Sequence, residues 1–167
     1  MNKVRTLTYT ALLTAMAIII PIYFGFLRVY IPPFSATIAA HVPMFIAMFF
    51  GPYAAIIVGI GSALGFLITT TPVIAARACT HIVVGFVGAV LIKKGVSFPK
   101  VVASTLPIHA ILEGLVIIPF TGFNYLVAVV AIGTAVHHIV DGIIAYIIAK
   151  SISKVSKSRD NVFKSVA

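Results

Sequence analysis

Long apolar stretches separated by short polar breaks run through this chain. The breaks carry Pro, Gly, Thr or Lys, as at Pro32-Pro33, Gly51-Pro52 and 93–100. At 1.5 Å per residue, the stretches can cross an apolar layer of about 30 Å, although the second is short and can be flanked by irregular backbone. The pattern predicts six transmembrane helices at about 7–25, 36–51, 53–70, 73–92, 100–120 and 125–150.

Composition points to the same environment. Of the 167 residues, 61% are hydrophobic, and three acidic residues stand against twelve Lys and Arg. Mean hydropathy is +1.18. A soluble domain of this size has no core large enough to bury so much apolar surface, whereas a bilayer accommodates it. We therefore expect an all-α integral membrane protein that forms a single domain over residues 1–167 and lies, multi-pass, in the cell membrane.

The basic residues predict the orientation. They fall before the first span (Lys3, Arg5), between the fourth and fifth (Lys93, Lys94, Lys100), and after the sixth (Lys150, Lys154, Lys157, Arg159, Lys164). With six spans these clusters share one side, which the positive-inside rule assigns to the cytoplasm. Both termini should thus be cytoplasmic, with a basic tail over about 151–167 that frays. Because the positive charge flanks spans, it does not indicate a nucleic-acid partner.

The basic N-terminus resembles the n-region of a signal peptide, but the apolar run that follows continues past Ile20 without a convincing cleavage site. We expect a retained first helix. Ala11 and Ala15 on this helix form a small-xxx-small pattern, which allows another helix to approach closely.

Polar residues within apolar spans are costly and usually mark function or paired structure. With six alternating spans, several of them fall in the outer half, where they can line one outward-facing pocket. Arg77 and His81 are one turn apart and share a helix face. The predicted pocket residues are His41, Arg77, His81, Glu113, Asn124 and Tyr125. For Arg77 and Glu113 an intramembrane salt bridge remains the alternative, and for Asn124 a helix cap. We expect Arg28, in the first loop, to be solvated, with contact to a lid or to the pocket as the alternative.

A second polar group is expected deeper in the membrane, from His109, His137, His138 and Asp141. We favour a structural network here, in which Asp141 pairs with a histidine because an unpaired buried carboxylate destabilises the fold.

The sequence contains none of the motifs typical of three classes of enzyme. The chain has no Walker A sequence, no HExxH and no GxSxG, so we expect neither an enzyme nor ATP hydrolysis. The glycines at 59, 61 and 65 sit in mid-span and predict helix packing. The histidines, being spread in depth, do not indicate a metal site, and no cofactor is expected.

An ordered set of motifs resembles a known family. The set comprises the Ala-x-x-x-Ala of the first span, 31–49 (IPPFSATIAAHVPMFIAMF), 64–66 (LGF), 76–78 (ARA) with His81, 109–114 from His-Ala to Glu-Gly, and 133–137 (GTAVH) with Asp141. Together with the six spans, they resemble the substrate-binding S components of energy-coupling factor (ECF) vitamin transporters, in particular the niacin-type branch. The resemblance covers nearly the whole chain.

The resemblance implies a function. An S component captures a vitamin from outside, docks through Ala11 and Ala15 on a transmembrane coupling protein that carries two ATPases, and releases the vitamin inside. For a pyridine carboxylate, Arg77 would take the carboxylate and His81, Glu113 or Asn124 the ring nitrogen. Phe26, Tyr30 and Phe34 on the first loop could cover the ring.

Three alternatives stay open. Neighbouring branches of the family take pyridoxine or a hydroxymethylpyrimidine. A stand-alone secondary transporter could use His137 and Asp141 as a proton relay. An accessory membrane subunit would bind no small molecule.

Overall fold

Seven α-helices and a β-hairpin build the part of the chain that the computed structural model describes, residues 3–155 and 162–166. The helices are α1 Lys3–Tyr23, α2 Val42–Ala47, α3 Pro52–Thr69, α4 Pro72–Ala78, α5 Thr80–Lys93, α6 Phe98–Thr121 and α7 Tyr125–Val155. The hairpin pairs β1 Arg28–Ile31 with β2 Phe34–Thr37 in antiparallel register. Short 3₁₀ turns occupy Gly25–Leu27, Met48–Phe50 and Val162–Val166.

Five helical segments among the described residues are long and apolar enough to cross a membrane. They are α1, α3, the nearly continuous α4 and α5, α6 and α7. These segments coincide with the predicted first, third, fourth, fifth and sixth spans, which confirms a helical multi-pass membrane protein. The apolar pattern is reliable here because a bilayer tolerates few alternatives to a helix with all its backbone groups paired.

The predicted second span, 36–51, is wrong as one continuous helix. Its first part is strand β2 and a turn, and only α2 and the Met48–Phe50 turn are helical. The turn places Ala39 at φ 70°. Carboxylate oxygens of Asp141 accept hydrogen bonds from the backbone N–H groups of Ala39 at 2.8 Å and His41 at 2.9 Å. The Asp141 side chain on α7 therefore accepts hydrogen bonds from backbone N–H groups that have no partner within a helix.

This irregular segment nevertheless runs the length of the bundle. It leaves the hairpin, which lies beside the C-terminal end of α1, where the Arg28 guanidinium is 3.4 Å from the carbonyl oxygen of Pro21. It ends at Phe50, whose ring stacks on Tyr9 near the start of α1 with centroids 5.1 Å apart. Residues 34–50 thus travel from one end of α1 to the other.

The tail is more ordered than predicted in its described part. Helix α7 continues through Val155, and Phe163 is buried with its ring centroid 4.8 Å from that of Phe49 and 6.0 Å from that of Phe50. Fraying is therefore wrong for 162–166, while residues 156–161, with Lys157 and Arg159, lie outside the described residues. Tyr9 and Phe163 both contact Phe50, so the two ends of the described chain lie at one end of the bundle.

Glycines on α3 permit close helix packing, as the mid-span pattern predicted. A Cβ at Gly65 would lie 2.7 Å from the backbone oxygen of Ile18 on α1, and one at Gly59 would lie 2.8 Å from the backbone nitrogen of Ile82 on α5. Since such distances exclude any side chain, α3 packs backbone to backbone between α1 and α5. This sandwich holds α5 and its histidine in position.

Candidate functional site

A single buried cluster gathers charged and polar side chains from most of the helices. It is referred to below as the polar cluster. It contains every histidine of the chain, one arginine and two carboxylates: His41, Arg77, His81, His109, Glu113, His137, His138 and Asp141. His137 is partly buried, and all the others are buried. A group this polar at the centre of an apolar bundle is costly unless its members pair with one another or with a ligand.

The predicted separation of these residues into an outer pocket and a deeper network is wrong. The ring centroid of His41 lies 4.6 Å from that of His81, 4.7 Å from that of His109 and 4.2 Å from that of His137. The prediction assumed a helical rise of 1.5 Å per residue from position 36. An extended strand rises about 3.3 Å per residue, so β2 carries His41 deeper than a helix would.

Asp141 anchors the turn before α2. In addition to the two backbone donors, its carboxylate lies 3.3 Å from His41 Nδ1 and 3.0 Å from His137 Nε2. The prediction that Asp141 pairs with a histidine is confirmed. Because Asp141 is on α7 and His41 precedes α2, these bonds fix the irregular segment against the longest helix of the bundle.

Arg77 and Glu113 form a buried salt bridge between α4 and α6. The guanidinium donates from Nε at 3.0 Å and from Nη2 at 2.5 Å to the same oxygen, Oε2 of Glu113. The Thr134 hydroxyl donates to that oxygen as well. The guanidinium also lies 5.5 Å from the ring centroid of Phe34. Its remaining nitrogen, Nη1, is buried without a hydrogen-bond partner among the described residues. The salt bridge therefore uses only part of the donor capacity of Arg77.

Two of the histidine rings are oriented by neighbours that contact their Nδ1 atoms. The Ser62 hydroxyl lies 2.8 Å from His81 Nδ1, and His109 Nδ1 lies 3.0 Å from His138 Nδ1. The second ring nitrogen of His109, Nε2, lies 3.4 Å from Glu113 but makes no hydrogen bond of acceptable geometry within the described chain. The same holds for His41 Nδ1.

Metal-ligand geometry is present in the polar cluster. His41, His81 and His109 each offer one nitrogen, and these atoms lie within 4.8 Å of one another. A second set of the same kind consists of His41, His137 and Asp141. The sequence predicted histidines at different depths and therefore no metal site, but the structure brings these histidines together.

A small cavity adjoins the polar cluster. Six residues that matter for its chemistry line it: Ser35, His41, Arg77, His81, Glu113 and His137. Its volume, about 20 Å³ for the centre of a water-sized sphere, suits one water molecule or two but not a pyridine ring. Ser35 belongs to β2, so the hairpin forms one wall, and a larger ligand would need the hairpin to move.

Three residues predicted to contact the ligand lie outside this cavity. Asn124 caps α7, since its Oδ1 accepts the backbone N–H of Leu126 at 2.8 Å and its Nδ2 donates to the oxygen of Thr121 at 2.7 Å. Tyr125 and Tyr30 are 76% and 64% exposed. Phe34, in contrast, is buried beside Arg77.

Sequence reasoning missed Ser62 and Thr134, which contact the polar cluster. A lone Ser or Thr in an apolar helix is a weak signal, because its hydroxyl commonly bonds the preceding turn of its own helix, as Thr14 does to the oxygen of Thr10.

The predicted docking face of α1 is free in this chain. Ala11 and Ala15 are exposed, whereas Leu13 and Ala17 on the other side of the helix are buried. The small-residue pair therefore does not pack inside the described bundle.

One curated relative combines high coverage with clear identity. The chain is 37% identical over 174 aligned positions to the "Niacin transporter NiaX" of Lactococcus lactis subsp. cremoris, and the alignment covers 91% of this chain and 76% of the relative. No protein-family model matches the chain, and no solved structure matches it significantly.

Proposed function

Because the chain belongs to the family of S components that includes the Lactococcus niacin transporter, we propose that it captures niacin and delivers it to an ATP-driven ECF module. Membership and the apolar helices make it a multi-pass protein of the cell membrane that acts in vitamin transport. The identity of the vitamin, the pocket and the coupling to ATPases are the proposed parts.

The free Nη1 of Arg77 is the observation that carries the choice of vitamin. It is a buried, charged donor without a hydrogen-bond partner among the described residues, and it belongs to a side chain that lines the cavity. Charge-assisted hydrogen bonds to a carboxylate are about twice as strong as neutral ones. A pyridine with a carboxylate would supply the missing acceptor while Nε and Nη2 stay on Glu113.

The remaining atoms of the ligand would meet neighbours of Arg77. His81 lines the same cavity and can meet the ring nitrogen, and Phe34 lies against the guanidinium, where it can cover the ring. Niacin has so few atoms that its affinity limit is about −13 kcal/mol, roughly nanomolar, and reaching that limit needs nearly every atom engaged. A site that closes fully around the ligand, with the hairpin as its lid, meets that demand.

We expect the purified protein to bind nicotinate more tightly than nicotinamide or pyridoxine. Nicotinate alone offers both a full negative charge and a small ring. Calorimetric titration of the three compounds against the same monodisperse preparation measures this order. Tight binding of pyridoxine with none of nicotinate would move the assignment to the neighbouring branch, and retention of no small molecule would favour an accessory subunit.

The proposed topology has six crossings and both termini in the cytoplasm. It is supported by the basic clusters and by the path of residues 34–50 along α1. In a Cys79→Ser background, the variant Phe123→Cys should react with an impermeant thiol reagent added to intact cells, and Lys94→Cys should not. Both positions are exposed, so accessibility from the protein itself does not differ. Reaction at position 94 would contradict six crossings with cytoplasmic ends.

Docking on the coupling protein is proposed to use the exposed alanine pair of α1. Replacing Ala11 and Ala15 with leucine should abolish niacin uptake in cells while purified protein keeps its affinity, because leucine side chains hold the helices apart. The matched control replaces Ala103 and Ala128, which are exposed alanines on α6 and α7.

The measurements are uptake of labelled niacin and calorimetric titration for both double variants. Loss of affinity in the α1 variant would mean that this face supports the fold. Uptake that persists without the ATPases would favour the secondary transporter.

A further inference from the structure

Three histidines of the polar cluster have the composition of a metal centre. His41, His81 and His109 come from three separate elements, and each presents one ring nitrogen, all within 4.8 Å of one another. All three residues are buried. Neutral imidazole is the commonest protein ligand for transition metals, and three histidines with an open fourth position form a well-known zinc arrangement.

Neighbouring groups orient two of these rings as a second shell does in metal centres. A metal-ligating histidine normally bonds a protein group through its other ring nitrogen, which fixes the ring and its tautomer. His81 meets the Ser62 hydroxyl through Nδ1, and His109 meets His138 through Nδ1. Each ring therefore keeps Nε2 as its free ligand atom.

Unpartnered nitrogens point to a missing group. His41 Nδ1 and His109 Nε2 are buried, and neither has a hydrogen-bond partner in the described part of the chain. A buried polar atom without a partner costs about 1–3 kcal/mol. A cation between the rings would give His109 Nε2, which lies 3.4 Å from Glu113 without a hydrogen bond, the partner that it lacks.

Charge balance favours a cation as well. Arg77 contributes one positive charge to the polar cluster, and Glu113 and Asp141 contribute two negative ones, so neutral histidines leave it at minus one. A divalent ion would make it positive, which is the sign that an anionic ligand requires. This last benefit rests on the proposed binding of nicotinate, whereas the coordination argument does not.

We propose that His41, His81 and His109 bind one divalent transition-metal ion of the zinc type. Zinc–nitrogen bonds of about 2.0–2.1 Å in a tetrahedron place the nitrogens about 3.3 Å apart, so the rings close in around the ion. His41 and His81 line the cavity, so the fourth position faces it and is open to water or to a ligand; with the ion bound, this position replaces His81 as the partner of the ligand's ring nitrogen.

The alternative set of His41, His137 and Asp141 fits a metal less well. Both oxygens of Asp141 already accept backbone N–H groups, and His137 Nε2 lies 3.1 Å from the oxygen of Thr37 as well as 3.0 Å from Asp141. These atoms already bond within the protein and have little remaining capacity to coordinate an ion.

The test uses Zn²⁺ and Co²⁺ on purified, chelator-treated full-length protein with no vitamin present. We expect one Zn²⁺ per protein and, for Co²⁺, the visible absorption of a four-coordinate site. Loss of a second-shell partner weakens metal sites by about 10–100-fold, so His81→Gln and His109→Gln should weaken binding by more than about 100-fold. His137→Gln removes a histidine of the other set and should weaken metal binding by less than these two variants do.

Ser62→Ala retains all three metal-binding histidines, so it tests the site even if the histidine variants misfold. It should weaken metal binding by about 10–100-fold while the protein stays monodisperse. Absence of stoichiometric binding, equal binding in all variants, or loss only in His137→Gln would overturn the proposal.

Titration of nicotinate against the metal-free protein separates this proposal from the function. Nicotinate binding without any Zn²⁺ binding would refute the metal site and leave the function standing. Zn²⁺ binding by a protein that binds no nicotinate at any Zn²⁺ concentration would refute the function and leave the metal site standing.

Discussion

Replacing Arg77 with alanine is expected to weaken nicotinate binding by about 2–5 kcal/mol, or roughly 30- to 5,000-fold, the usual range for truncating one partner of a buried charged pair. The variant removes the donor Nη1, which is buried and free to take the carboxylate. Nicotinamide should lose much less affinity, because it carries no full negative charge. Calorimetric titration of both compounds against both proteins measures the difference.

The salt bridge to Glu113 requires its own control. Arg77→Ala alone leaves a buried carboxylate unpaired, which by itself destabilises the protein. The double variant Arg77→Ala/Glu113→Ala removes both charges. We expect it to regain thermal stability relative to the single variant without regaining nicotinate binding. Equal losses for the acid and the amide in Arg77→Ala would show that Arg77 supports the fold and does not bind the carboxylate.

Replacing Asp141 with alanine is expected to lower the free energy of unfolding by about 3–5 kcal/mol, the cost of breaking a buried charged network at one partner. Its carboxylate accepts backbone N–H groups from Ala39 and His41, and it pairs with His137. Their loss leaves buried donors unsatisfied and frees the turn before α2. Thermal and denaturant unfolding in detergent measure the change.

Asparagine at position 141 tests the same contacts more finely. Each oxygen of Asp141 accepts one backbone N–H. Asparagine keeps one acceptor oxygen, but its NH₂ group cannot accept the second N–H. Asp141→Asn should therefore also destabilise the protein, by less than alanine does. Ile143→Ala is the control, two positions along α7 and exposed. A change for both Asp141 variants as small as that of the control would contradict the anchoring role.

The helical spans could be predicted from apolar runs alone. Residues 3–23, 52–69, 98–121 and 125–155 are helices close to the predicted bounds, and 72–93 differs by a break at Cys79. Lipid offers no hydrogen bonds, so an apolar run of this length has one good solution. The cost of buried charge likewise predicted a partner for Asp141, and it left a salt bridge as the alternative to ligand contact for Arg77 and Glu113.

Residues 36–41, the start of the predicted second span, show where the apolar pattern fails. Their sequence is apolar, but the backbone forms a strand and a turn because Asp141, a hundred residues later, satisfies the donors of Ala39 and His41. No local pattern records a partner at that distance. The extended backbone then sets the depth of His41, and that depth decides which histidines meet.

The sequence by itself thus determined the membrane environment, most of the helices and the identity of the polar residues, because each follows from the local cost of exposing or burying a group. Only the tertiary structure decided which of these residues contact one another. It placed all five histidines in one cluster, left Asn124 as a helix cap and exposed Tyr30 and Tyr125. Contacts between distant residues depend on the path of the backbone, and one strand of four residues changed that path.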